Sequence, residues 1–99
     1  MKNEKKREAS NSIKLRLYVT GATVNSVRAM TNLRDICKKY FDGRYSLEVI
    51  DLLINPKLAR NDQIFAVPTL VRKTPEPVKR IIGNLSDEKQ VLAHLSLAE

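Results

Sequence analysis

Ninety-nine residues support one domain with one modest core and leave no room for a second. A single cysteine, Cys37, excludes an internal disulfide and a dithiol redox pair, and no apolar run reaches the length of a membrane-spanning helix. The net charge of +7 steers the chain toward an acidic partner without identifying it.

Residues 1–12 contain Lys2, Glu4, Lys5, Lys6, Arg7 and Glu8 and almost nothing apolar, so they are predicted to form a disordered basic tail ahead of a domain at 13–99. About +5 of the charge stays on that domain. No apolar stretch follows the basic residues as a secretory signal requires, and the chain is expected to be soluble and cytoplasmic. From 13 to 19, Ile13, Leu15, Leu17 and Val19 alternate with Lys14, Arg16 and Tyr18, the period of a half-buried strand. Gly21 ends it. Asn25 or Ser26 is placed to cap a helix whose apolar residues Val27, Met30, Leu33, Ile36, Cys37 and Tyr40 recur at three and four, with Asp42-Gly43 as its stop. Residues 45–54 are rich in Leu, Val and Ile with few polar breaks, which predicts a central strand covered on both faces. A strand, a helical crossover and a strand imply parallel pairing.

Asn55-Pro56 starts a second, short helix with Leu58, Ala59 and Ile64 as its stripe. In Phe65-Ala66-Val67-Pro68-Thr69-Leu70 a proline stands just before a strand, where its missing N–H is tolerated; X-Pro bonds alone have an appreciable cis population, so Pro68 is a candidate structural cis-proline. Residues 69–73 then read as a strand, Pro75 and Pro77 force a turn, and 78–82 return as an antiparallel partner at the sheet edge. The last segment fits two periods. Ser86 can cap a helix with Asp87 and Glu88 in its first turn and Val91, Leu92 and Leu95 as its stripe. Alternatively, Val91, Ala93, Leu95 and Leu97 alternate as a strand.

This order, βαβαββα, is that of a thioredoxin-like α/β domain with a cis-proline before its third strand. The loop where thioredoxins carry Cys-x-x-Cys holds Gly21-Ala22-Thr23-Val24-Asn25-Ser26 instead, and a hydroxyl cannot replace the thiolate that disulfide exchange requires. No phosphate-cradling glycine loop, metal-ligand cluster or nucleophile motif is present. The chain is therefore expected to be no enzyme and to need no cofactor. His94, the only histidine, has no recognisable catalytic surroundings, and Cys37 is expected to be a small core side chain. Nucleic acid is not the expected partner, since most of the five aromatics, Tyr18, Tyr40, Phe41, Tyr45 and Phe65, fall at core positions and leave no stacking platform.

Residues 15–97 resemble the KaiB family of circadian-clock proteins. The resemblance rests on Leu17-Tyr18-Val19-x-Gly21-x-Thr23-x-Asn25-Ser26-Val27-Arg28-Ala29, Val49-Ile50-Asp51-Leu52, Asn55-Pro56-x-Leu58-Ala59, Pro68-Thr69-Leu70 and Pro77-Val78-x-Arg80-Ile81-Ile82-Gly83-x-Leu85-Ser86, in that order. It implies a protein-binding module that docks on and regulates a KaiC-like hexameric ATPase, with KaiA-like or histidine-kinase proteins as further partners. Arg28, Arg72, Lys79 and Arg80 match, in identity or charge, the positions the family uses for such contacts. The resemblance also implies a metamorphic chain, able to exchange the thioredoxin-like fold for a tetramer-type fold with a rearranged C-terminal half; the two need differ by only a few kcal/mol.

Pro75, Pro77, His94 and Ser96 are the positions expected to bias that choice. His94 and Ser96 replace a glycine and an aspartate of clock-type relatives, and losing a glycine removes about 1 kcal/mol of helix penalty. A thioredoxin-like monomer is the expected ground state. Clock-type relatives also tend to carry lysine where this chain has Glu48 and Gln63. A divergent member that binds another regulator, in stress or signalling, is the alternative those two residues raise.

Overall fold

A computed structural model describes residues 12–95; residues 1–11 of the predicted tail, Ser96 and Leu97 lie outside them. The elements are β1 (Ile13–Val19), α1 (Val24–Tyr40), β2 (Tyr45–Asp51), a 3-10 turn η1 (Pro56–Arg60), β3 (Thr69–Thr74), β4 (Lys79–Ile82) and α2 (Glu88–Leu95). The strands form one sheet in the order β2-β1-β3-β4, with β1 and β2 parallel and both other pairings antiparallel. The mixed α/β order follows the sequence except at the second helix. Pro56 does open a helical turn there, but none of its five residues is fully buried, and with Leu58 alone of them leaning on the sheet's apolar cluster it stops short of an α-helix.

Three other expectations are corrected. The strand predicted at 45–54 ends at Asp51 and lies at the sheet edge, not the centre. Its apolar residues point both ways, yet only Ile50 is buried; Tyr45 and Leu47 merely lean on the core. β1 and β3 occupy the centre instead. α1 begins before Asn25, because Thr23 is the residue with extended backbone and its side chain accepts from the Ser26 amide. Ser26 is buried inside the first turn, where its Oγ accepts from the Thr20 N–H at 3.1 Å. At α2 the cap is Asp87, whose Oδ1 accepts from Gln90 N at 3.2 Å, and not Ser86. The final segment takes its helical period, with Val91 and Leu95 buried.

The alternation of β1 sends Ile13, Leu15, Leu17 and Val19 to one side, where they meet Ala29, Leu33, Ile36 and Cys37 of α1, Val91 and Leu95 of α2, and Leu70 and Ile81. Cys37 lies in this core, and burial pushes its thiol up to about 11. The opposite side carries a smaller cluster in which Tyr18, Ile50 and Val71 pack under Leu52, Leu58 and Ile64 of the β2–β3 connector. The Val67–Pro68, Thr74–Pro75 and Glu76–Pro77 peptide bonds are cis. Among the described residues no helix is long and apolar enough to cross a membrane.

Candidate functional site

Given these strand directions, β1, β2 and β4 finish at the same end of the sheet at which β3 begins. Most of the large exposed apolar side chains collect there. Val24 and Val27 follow β1, Leu53 and Ile54 follow β2, Phe65 precedes β3, and Ile82 closes β4. Phe65 is 94% exposed, Ile54 74% and Leu53 71%. Leaving this much apolar surface in water is unfavourable, and such a patch on a small domain marks an interaction site. A shallow cavity of about 290 Å³ adjoins it, lined by Ile54, Asn55, Pro56, Lys57 and Leu58.

Two carboxylates organise this end. Asp51 Oδ1 accepts from Gly21 N and from Leu53 N, each at 2.9 Å, and so joins the β1–α1 loop to the start of the connector. Gly21 has φ +57°, and a Cβ there would stand 2.9 Å from Leu53 Cδ1, so glycine permits both the turn and the approach of Leu53. Asp62 is 3% exposed and lies beneath the connector. Its Oδ2 accepts from the Tyr18 hydroxyl at 2.7 Å and Arg16 Nη1 at 3.3 Å, its Oδ1 accepts from Lys73 Nζ, and its backbone carbonyl accepts from Arg80 Nε at 3.0 Å. Burial pushes the Asp62 carboxyl up, but the hydrogen bonds from Lys73 and Tyr18 and the charges of Lys73 and Arg16 outweigh it and hold the group below its usual value. The same burial and the bond to Asp62 push the Tyr18 phenol up.

The four basic positions singled out in the sequence are not equivalent. Arg28 is exposed on α1 one turn beyond Val24, and Lys79 and Arg80 are exposed neighbours on β4. Arg72 is 5% exposed: Nη1 donates to the His94 carbonyl at 3.2 Å and Nη2 to the Pro77 carbonyl at 2.8 Å. A buried guanidinium bonded in this way joins the β3–β4 turn to the end of α2. His94 sits half-buried on α2 with Nδ1 2.9 Å from the Gln90 carbonyl oxygen. Glu48 is paired with Arg16 at 3.1 Å, and Gln63 has φ 55°.

Neither Asp62 nor Phe65 was marked as functional by the sequence. The expectation that most of the five aromatics fall at core positions does not single out Phe65, whose exposure is signalled only by its position ahead of Pro68, outside any periodic segment. The signal for Asp62 was the polar face of β1: a face carrying Arg16 and Tyr18 beside a covered sheet needs an acceptor.

Residues 16–97 match the KaiB domain family. The chain belongs to the KaiB family. A circadian clock oscillator protein KaiB from Prochlorococcus marinus is 55% identical to it over 83 residues, which covers 84% of this chain and 71% of that protein. Another, from Thermosynechococcus vestitus, is 54% identical over 83 residues and 77% of its length. Like these clock proteins, the chain is a non-enzymatic KaiB-family member, in agreement with the motifs. Its thioredoxin-like fold is shared with the N-terminal domain of Synechococcus elongatus SasA, at a TM-score of 0.72 and 22% identity over 90% of this chain and 88% of that one. Mitochondrial thioredoxin 3 of Saccharomyces cerevisiae gives a TM-score of 0.70 at 15% identity, over 97% and 89%. In the KaiB-family chain the loop that would hold a thioredoxin's cysteines presents Val24 outward instead.

Proposed function

We propose that this KaiB-family chain is a cytoplasmic binding module that docks on a KaiC-like ATPase through the apolar end of its sheet and regulates that ATPase in a circadian or other timing system. The observation that carries this reading is the convergence of Val24, Val27, Leu53, Ile54, Phe65 and Ile82 at one end of the sheet in a member of a clock-protein family. Aromatic and aliphatic side chains presented together supply the buried centre of an interface, and charges at its rim set partner choice and association rate. Arg28, Lys79 and Arg80 are the rim contacts in this reading. Arg28 and Lys79, together with Lys57 and Arg60, make no ion pair among the described residues, which favours an acidic surface on the ATPase.

Size-exclusion chromatography of the purified chain with each KaiC homologue of its own organism tests the pairing. Co-elution is expected with one of them and is expected to be lost in Phe65→Asp, with affinity down about tenfold or more, as truncation of an interface anchor gives. Failure of every homologue to co-elute refutes the reading. Glu48 favours a second one, a different regulator in stress or signalling, because it places a negative charge, held by Arg16, on the exposed edge strand. Charge reversal by Glu48→Lys separates the two, strengthening ATPase binding under the first reading and leaving it unchanged under the second. The free chain is proposed to be a monomer at micromolar concentration, and a tetramer by light scattering would show the alternative fold instead.

A further inference from the structure

The β2–β3 connector carries Leu53 and Ile54 at its start and Phe65 near its end, half of the exposed apolar residues at the docking end. Little local structure holds it, since its regular part is one 3-10 turn with no buried residue. Apolar packing adds Leu52, Leu58 and Ile64, all only partly buried, against three sheet residues. Backbone and side-chain bonds tie down its start, Leu52 N to the Val19 carbonyl and Leu53 N to Asp51, and the Tyr18 hydroxyl reaches the Leu58 carbonyl at 3.3 Å, but farther along most side-chain contacts from the strands meet at a single residue. Side chains of β1, β3 and β4 all end on Asp62: Arg16, Tyr18 and Lys73 on its carboxylate and Arg80 on its carbonyl. Phe65 follows three residues later. Asp62 is itself too buried to reach a partner, so any influence it has on binding passes through the connector.

We infer that Asp62 is the positioning residue of the docking end, fixing the connector on the sheet so that Phe65 is presented in one place. Its carboxylate suits this role because three donors arrive from two different strands and a carboxylate accepts all of them at once. An asparagine of the same size offers one acceptor oxygen and turns an amide N–H₂ toward donors. The contact is thereby broken without removing side-chain volume.

Hydrogen exchange on the full chain tests the inference. In Asp62→Asn, amides of residues 52–67 are expected to exchange about tenfold or more faster while those of β1, α1 and β3 keep their protection. Tyr18→Phe and Lys73→Met are expected to give smaller accelerations in the same segment; that of Lys73→Met disappears when added to Asp62→Asn, because it acts through the same carboxylate, whereas Tyr18→Phe also loses the bond to the Leu58 carbonyl and keeps part of its effect. Unchanged exchange at 52–67, or effects of Asp62→Asn and Lys73→Met that add independently, overturns the inference. Should Asp62→Asn fail to fold, the two milder variants decide it by the same criterion, whether acceleration is confined to 52–67. Affinity for the KaiC-like ATPase is expected to fall in step with exchange, and this arm rests on the docking reading. A wild-type chain that binds no such ATPase refutes that reading and leaves exchange to decide on Asp62.

Discussion

On the helical side of the sheet fourteen buried residues from both helices, three strands and the loops at Phe41 and Leu85 make one continuous core, whereas the opposite side buries three apolar residues, Tyr18, Ile50 and Val71, under a connector with almost no regular structure. The first side is held by area, each side chain contributing in rough proportion to what it removes from water. The second is held by a buried carboxylate with its donors, where one atom decides the outcome. Damage on the helical side therefore weakens the whole fold, and damage on the connector side frees one segment.

The largest expected effect comes from Leu17→Ala at the centre of the helical core, where the side chain is fully buried. A loss of about 2–5 kcal/mol is expected from such a truncation, read as a lower denaturant midpoint that fluorescence and circular dichroism report together. Probes that separate would break the description of that side as one cooperative unit. Arg72→Met comes next, since it strands the His94 and Pro77 carbonyls; about 1–3 kcal/mol is expected from orphaned acceptors, with exchange of α2 amides rising most. Thr23→Ala removes the α1 cap and is expected to cost about 1 kcal/mol, spread over the helical core without a preferential change at 52–67.

The smallest effect is a pH response on the connector side. Asp62 is held below its ordinary value of 3.8, burial notwithstanding, by Lys73, Tyr18 and Arg16. A carboxyl depressed in the folded state contributes stability that is complete above its unfolded value and is lost as pH falls through its folded value. Exchange at 52–67 is accordingly expected to be flat above about pH 5, once normalised for intrinsic rates, and to accelerate below about pH 4, ahead of β1 and α1. The same titration on Asp62→Asn should lack that early step. An identical profile in both chains would remove Asp62 from the explanation.

Legibility in the sequence follows the same division. β1 and the stripe of α1 were readable because one face of each is buried in a continuous core, which writes the period into the residues. The start of α1 was misplaced because Thr23, Asn25 and Ser26 are all capping residues and only the backbone selects among them. β2 looked central because Leu47, Val49 and Ile50 put apolar groups on both faces, although edge position leaves Val49 exposed. The two periods of the last segment were resolved by contacts distant in sequence: Tyr40 donates to Glu88 at one end of α2 and Arg72 to the His94 carbonyl at the other. The polar face of β1 calls for an acceptor but does not say which, since the partners of Asp62 lie 44 residues away at Tyr18 and 11 at Lys73. Of the basic positions, Arg28, Lys79 and Arg80 are exposed, as residues that meet a partner need to be. Arg72 resembled them in composition and differs from them only through burial.

The seclusion of Cys37 bears on how a thioredoxin-shaped surface behaves in a cell. The only thiol of the chain lies in the helical core with its ionisation pushed up to about 11, so at neutral pH almost no thiolate exists to attack a disulfide or meet an oxidant. A partner that seats itself on the docking end can leave again without a covalent trap. Thiol oxidants and reductants that switch thioredoxins thus find no reactive thiolate in this chain.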